Sequence, residues 1–515
     1  MRIGAAIAIF AFAFALALAV TCSVAAAQDA PTPDDLVARW HHATGFTRKP
    51  EMEREVWDVR VDGLDGTLET VRRNSDFATE TVVGPFRTAH GLARGVRWQQ
   101  NENGETILDR PEPSQTERIV SQTVAHTQKP LDAWILSTTF ASGHSTRAYY
   151  DARTYYLIRT ERTVAGRTVA TTYDDFRTDA RGHVRPWHYA GGDDRHANSY
   201  DYRLLRDDIT GDVPESDVEI PHDRRTLVEF PAGVDMVRLP ARIAHDRIYV
   251  RLEVQGRGLD FLLDTGSAAL TIDEAVVKSL GIPIRGRAMQ TVAGSFETGR
   301  AIVPTVAIGS LAMHDVVFRT APFSSHESRT TRVVGLLGYD FLAGCGIKID
   351  YARGTVDAER PGTFDPPPGA TGLDVRLNAG TPVARATIGN ASGDDFIIDT
   401  GAAFSYVLFQ RFVHAHPDAT TGSGNGRIHY GAGVGGSLSF RDVSAKRLTL
   451  GSWSFDDAIG VEALAPNALG FDNEDGLIGA DILRLFTIYL DYGADRMYLA
   501  PNGRMQMIEA SAAHP

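Results

Sequence analysis

Apolar and polar residues alternate along most of this chain, and the pattern changes character near residue 223. Downstream, Ile248-Tyr249-Val250-Arg251-Leu252-Glu253-Val254 has the period of two of a half-buried strand, and Phe261-Leu262-Leu263 is a short buried strand that runs into Asp264. Helical signals there are few and short. Asp273 is placed to cap a helix over 274–280 that Gly281 and Pro283 stop, and a comparable segment over 408–414 ends near Pro417. Upstream, residues 28–223 are rich in Tyr, Thr, Arg and Asp. Strands are predicted at 154–160 and 168–173 on either side of an Ala165-Gly166 turn, and a helix over 31–43 has Asp34 or Asp35 near its cap. The expected fold class is mainly β: an antiparallel N-terminal domain with one helix, followed by something different.

Internal repetition defines that second part. Leu262-Leu263-Asp264-Thr265-Gly266-Ser267-Ala268 recurs as Ile397-Ile398-Asp399-Thr400-Gly401-Ala402-Ala403, and Gly335-Leu336-Leu337-Gly338-Tyr339-Asp340 recurs as Gly476-Leu477-Ile478-Gly479-Ala480-Asp481. Each copy closes with an apolar strand ending in Asp-Tyr, at 347–351 and 488–492. The offsets are 135 residues for the first motif (399 − 264) and 141 for the second (479 − 338), so two copies of one unit differ by a loop. A Pro/Gly-rich stretch, 361–372, separates them. The expected boundaries are a first half over 235–360, a second over 373–505 and a tail over 506–515.

A length of 515 residues is consistent with roughly three or four folding units. The net charge of −13 argues against a nucleic-acid partner. Arg2, the uncharged stretch to Val20 and Ala25-Ala26-Ala27 form a cleavable secretory signal over 1–27, so a secreted or periplasmic protein of the bacterial envelope is expected, with no stable membrane insertion after cleavage. Thr21 is a poor neighbour for a lipidated Cys22, and cleavage leaves Cys345 as a lone, buried thiol with no disulfide to form.

Two carboxylates within hydrogen-bond distance cannot both ionise, so Asp264 and Asp399, brought together, would hold one proton between them and activate water. No metal and no cofactor is needed. Gly266 and Gly401 leave room for close backbone approach, and Thr265 and Thr400 can donate across a pseudo-twofold axis. At these residues the chain resembles the retropepsin-like and pepsin-like aspartic proteases, in which Asp-Thr-Gly-Ser/Ala is followed by an apolar-apolar-Gly segment that buttresses the active-site loop. Leu336-Leu337-Gly338 and Leu477-Ile478-Gly479 match that segment. The resemblance implies a bilobal aspartic protease fold over about 235–504, with two retropepsin-like halves in one chain. It also implies an aspartic endopeptidase with Asp264 and Asp399 catalytic and Thr265, Gly266, Ser267, Thr400, Gly401, Ala402, Gly338 and Gly479 in support. Its partner would be a peptide or protein substrate, and the chain a monomer holding an intrachain pseudo-dimer.

The resemblance further implies mobile flap hairpins, for which 291–296 with Ala293 and Gly294, and 431–436 with Gly433 and Gly435, are the candidates. Ser267 is expected to donate to Asp264 and make it the more acidic partner, since Ala402 offers no hydroxyl, with activity at mildly acidic to neutral pH. Asp340 and Asp481 are expected to cap their helical turns, and Asp350 and Asp491 to be structural. His41-His42 points to two faces of its helix and makes no metal site, while Trp187 and Tyr189 are expected in the core. The strands of 28–223 resemble in texture the curved sheets of bacterial lipoprotein-carrier and envelope-sensor domains. The competing readings are a catalytically inactive envelope protein that binds peptides or apolar ligands on a protease-like fold, and an enzyme assembled only between chains.

Overall fold

A computed structural model of the protein describes residues 30–505 apart from 47–50, 110–117, 141–143, 165–166, 194–197, 210, 292–294, 324–331, 379, 423–424, 435 and 466–473. The predicted signal over 1–27, the turn Ala165-Gly166, the flap residues Ala293, Gly294 and Gly435, and the 506–515 tail lie outside the described residues.

The N-terminal region forms one antiparallel sheet of 13 strands. From Met52–Val61 the chain meanders outward to one edge at Thr106–Asp109. It restarts at the opposite edge with Ile119–Thr127 and meanders back until Tyr200–Asp208 pairs with Met52–Val61. The helix Pro33–Thr44 lies on this sheet, with Leu36 fully buried against Leu136 and Tyr150. Thr32 is its cap: the Thr32 hydroxyl accepts from Asp35 N while the Asp35 carboxylate accepts from Thr32 N, so two otherwise unpaired donors are satisfied reciprocally. The strand predicted over 154–160 begins only at Leu157. The reason is a turn in which the Asp151 carboxylate accepts from Arg153 N and Thr154 N and Tyr155 takes a left-handed φ of 59°.

The repeat seen in the sequence folds twice into the same topology. One 8-stranded sheet runs Ala241–Ala244, Arg247–Val254, Arg257–Leu263, Val333–Leu337, Thr271–Asp273, Leu311–Ala321, Ser295–Ile308, Arg285–Thr291. The other runs Val375–Asn378, Thr381–Ile388, Ala391–Ile398, Gly476–Ile478, Tyr406–Leu408, Trp453–Ala463, Gly436–Leu450, Ile428–Gly433. Position by position the orders coincide, and each sheet curls so that its second strand also pairs with its seventh. Helix Glu274–Ser279 starts where expected, with the Asp273 carboxylate accepting from Val276 N. The second helix occupies Gln410–Ala415, later than expected, because Tyr406–Leu408 is drawn into the sheet as a buried strand.

A third sheet, of 6 strands, joins the lobes and carries the pseudo-twofold axis. At its centre Gly346–Asp350 pairs antiparallel with Phe486–Asp491, with Ile349 opposite Ile488, and each side adds two more strands. One outer strand, Thr371–Leu373, comes from the end of the Pro/Gly-rich stretch and pairs with Arg496–Pro501. The apolar residues of both lobes and this sheet form one continuous core, including Ile248, Phe261, Ile347, Phe396 and Ile488, all fully buried. The fold is thus β-rich and bilobal, with the N-terminal sheet alongside. The Asp246 carboxylate of one lobe also accepts from Arg484 at 2.6 Å and Arg504 at 2.9 Å of the other, a charge-assisted clasp.

Candidate active site

Each Asp-Thr-Gly follows a buried strand that ends in mid-core: Arg257–Leu263 delivers Asp264, and Ala391–Ile398 delivers Asp399. The strand Val333–Leu337 lies parallel to the first and Gly476–Ile478 parallel to the second. Asp264 N donates to Leu337 O at 3.1 Å, and Asp399 N donates to Ile478 O at 2.9 Å. The apolar-apolar-Gly segments are therefore the rails on which the two loops rest. Gly338 and Gly479 must be glycine there, because a Cβ would lie 2.4 Å from Ser267 O in the first half and 2.4 Å from Phe404 O in the second.

Across the axis the two loops grip each other through their threonines. Thr265 N donates to Thr400 Oγ1 at 3.2 Å and Thr400 N to Thr265 Oγ1 at 3.0 Å, while the hydroxyls donate onward to Ile398 O at 2.6 Å and Leu263 O at 2.9 Å. Both threonines are 1% exposed, so every one of these bonds is shielded from water. The grip brings the carboxylates together: Asp264 and Asp399 share a side-chain hydrogen bond. Each carboxyl also lies over the opposite loop's glycine. A Cβ on Gly266 would meet Asp399 Cγ at 2.8 Å, and one on Gly401 would meet Asp264 Cγ at 2.7 Å.

The pair is electrostatically unequal. Exclusion of water raises both carboxyls above the ordinary aspartate range, and the Asp399 charge and hydrogen bond raise Asp264 further. Asp399 accepts from two backbone donors, Gly401 N at 2.7 Å and Ala402 N at 3.2 Å, whereas Asp264 accepts from Gly266 N alone at 2.9 Å. Arg247 pulls both back down by a smaller amount. The backbone bonding favours the negative charge on Asp399 and the proton on Asp264. This reverses the expectation from Ser267. Its hydroxyl donates to Ala269 O at 2.9 Å instead of to Asp264, so the hydroxyl that Ala402 lacks braces its own turn.

At the borders of the two flap candidates Thr291 pairs with Ser295 in the first lobe, and Gly433 with Gly436 in the second. Asp350 and Asp491 hold turns, accepting from Arg353 N and Ala494 N. The expected helix-capping role of Asp340 is overturned, since its carboxylate makes no cap bond and instead accepts from Leu270 N at 2.7 Å in the loop after Asp264. Asp481 caps nothing either and faces Arg484 at 3.7 Å. Cys345 is buried, its thiol directed at Phe341 O and pushed up by burial. Tyr189 stacks on buried Tyr202 and Arg177 lies over Trp187, so both aromatics pack as sheet residues. His41 Nδ1 meets Phe46 O at the end of its helix.

Among the described residues the one carboxylate group with metal-like spacing is Glu53, Glu55 and Asp207 on the N-terminal sheet. Arg185 already lies among them and supplies the cation, and burial with the Glu55 charge lifts Glu53 to about 7. Sequence reasoning missed Arg247 and a set of N-terminal residues, Asn101, Asn103 and Asn198, that reach into the first lobe. The run Asn101-Glu102-Asn103-Gly104 signals a turn and nothing about what the turn touches.

The profile of a family described as aspartyl protease matches residues 250–341. No curated protein sequence matches the chain significantly. Among solved structures, an aspartic proteinase from Irpex lacteus aligns over 52% of this chain and 98% of its own, with 13% identity and a TM-score of 0.33. A retropepsin-like aspartic protease from Rickettsia conorii aligns over 24% of this chain and 90% of its own, with 16% identity and a TM-score of 0.19. A putative outer membrane lipoprotein-sorting protein domain from Vibrio parahaemolyticus aligns over 36% of this chain and 93% of its own, with 10% identity and a TM-score of 0.26.

Proposed function

We propose that this chain is an aspartic endopeptidase made of two retropepsin-like halves in one polypeptide, with Asp264 and Asp399 as its catalytic residues. The observation that carries the reading is the threonine grip. Thr265 and Thr400 exchange backbone and hydroxyl bonds across the axis and hold two carboxyls in mutual hydrogen-bond contact. Building such a like-charge pair costs stability unless one proton is retained, and a pair that retains it is both base and acid.

The inequality of the pair assigns the first roles. Ionised Asp399 takes a proton from water as its oxygen attacks the peptide carbonyl carbon, and protonated Asp264 donates to the carbonyl oxygen. The tetrahedral diol then collapses: the C–N bond breaks, the nitrogen receives a proton from the pair, and the diol proton returns to the other carboxylate. Atoms balance with water as the only co-reactant. The peptide or protein substrate is read in extended form between the lobes, where its backbone pairs with strand edges. The repeat within one chain supports a monomer as the working unit, and the apolar N-terminal segment supports export to the bacterial envelope or beyond.

The test is cleavage of an unfolded protein by the mature chain across a pH series, beside Asp264→Asn and Asp399→Asn. Each variant is expected to lose activity by about 10²–10⁴-fold, the range for removing a general acid or base. Wild type that cuts at no pH, or a variant that cuts as wild type does, overturns the reading.

A further inference from the structure

The geometry points to Asn101 and Asn103, at the tip of a hairpin in the N-terminal sheet, as positioning residues for the catalytic loop of the first lobe. This rests on the endopeptidase reading. The hairpin pairs Val96–Gln100 with Thr106–Asp109, and the turn is closed by Asn101 N to Glu105 O and Gly104 N to Asn101 O. Gly104 carries a left-handed φ of 96°, which makes the sharp tip possible. Ile107, on the returning strand, is 5% exposed and belongs to the core of the lobes. The hairpin is therefore a wedge set into the protease-like part.

Its tip meets one acceptor. Asn101 Nδ2 and Asn103 Nδ2 each donate to Asp340 Oδ1 at 2.9 Å, and Asp340 Oδ2 accepts from Leu270 N at 2.7 Å. Asn103 also pairs with the backbone of Val317 in both directions, at 3.0 and 2.9 Å. Glu102 accepts from Arg319 at 2.9 Å, while Arg224 and Arg225 hold the tip's carbonyls from behind. Asn103 and Asp340 are each 3% exposed, so the contacts are dry and strong. Asp340 directly follows Tyr339, whose N donates to Ser267 O at 2.9 Å and whose ring stacks on Tyr492. One carboxylate thus fixes the loop after Asp264 at Leu270 and ties it to the N-terminal sheet. The other lobe has no such tie: Asp481, the repeat of Asp340, has a 41% exposed side chain and faces Arg484 alone among the described residues. Buried Glu105 stands behind Asp340 and is driven well above the ordinary carboxyl range by burial and then by the Asp340 charge.

The experiment compares the full mature chain with N103D, D340N and the double variant N103D/D340N. N103D sets two carboxylates against each other; the double variant turns the 103–340 pair round and leaves an oxygen for Leu270 N, while Asn101 Nδ2 and Val317 O each lose a partner. N103D is expected to lower kcat about 10-fold or more with KM little changed, as loss of alignment does, and the double variant is expected to recover part of it. Backbone hydrogen exchange of the segment holding Leu270 is expected to quicken about 10-fold in N103D and to slow again in the double variant. If N103D does not fold, N101A, which deletes one donor, is read the same way. Wild-type kcat and wild-type exchange at Leu270 in the single variants overturn the inference. A wild type that cuts nothing overturns the endopeptidase reading alone, since exchange at Leu270 still decides this one.

Discussion

Burying two aspartates together has a stability consequence with a definite sign. Asp264 is raised well above its unfolded value, so folding favours its protonated form: that contribution is present at low pH and is lost as pH rises through the folded pKa, where a second charge must be accommodated. Asp264→Asn keeps the shape and a donor toward Asp399 but cannot ionise. Its melting temperature is therefore expected to exceed that of wild type in alkaline buffer and to converge with it in acid. A variant whose melting curve follows wild type across the pH range would show that the pair carries no such load. The grip is equally local: Thr400→Val removes the three buried bonds of the Thr400 hydroxyl and leaves Thr265 N without a partner, at a cost of about 1–3 kcal/mol per unsatisfied group, read by denaturant unfolding. These residues were legible in the sequence because one order of residue types, apolar-apolar-Asp-Thr-Gly, occurs in it twice. Ser267 was misjudged for the same local reason that it was noticed, since a hydroxyl three residues from its aspartate also reaches the carbonyl of its own turn.

Strands and turns were legible where one period governed them, as from Ile248 to Val254, and misplaced where a side chain redirected the backbone, as Asp151 does before Leu157. What no single element reveals is who its neighbour is. Asn198, in a connecting segment of the N-terminal sheet, donates to Met289 O at 3.1 Å and accepts from Met289 N at 2.7 Å, acting as a one-residue strand beside the first flap hairpin. Asp62 and Glu102 also face Arg300 of that hairpin's second strand, at 3.5 and 3.7 Å. The corresponding strand of the second lobe, Ile428–Gly433, by contrast, leaves Tyr430 76% exposed and Ile428 50% exposed. Asn198→Ala is expected to quicken exchange of the Met289 amide about 10-fold while leaving the 428–433 strand unchanged. Equal exchange in variant and wild type would mean that the hairpin stands without this support.

At the scale of the molecule, the repeat was plain and the docking was not. Two copies of a motif 135 residues apart announce themselves (399 − 264), whereas Asn103 and Asp340 are 237 residues apart and belong to regions of unrelated pattern. Docking is written in polar side chains that meet backbone groups, a language without periodicity. It also divides the two lobes in their treatment: one has its Asp-Thr-Gly loop tied to the N-terminal sheet through Asp340, while Asp481 makes no such tie among the described residues. A cleft of two equal sides offers the same welcome to a peptide lying in either direction. Here one carboxylate has two backbone donors and its partner one, and Asp340 is locked where Asp481 is loose. Cleavage sites mapped by mass spectrometry on a peptide library should therefore differ in preference on the two sides of the broken bond, and matching preferences would refute this. On the proposed reading, the two lobes would give the site what a peptide itself possesses, a head and a tail.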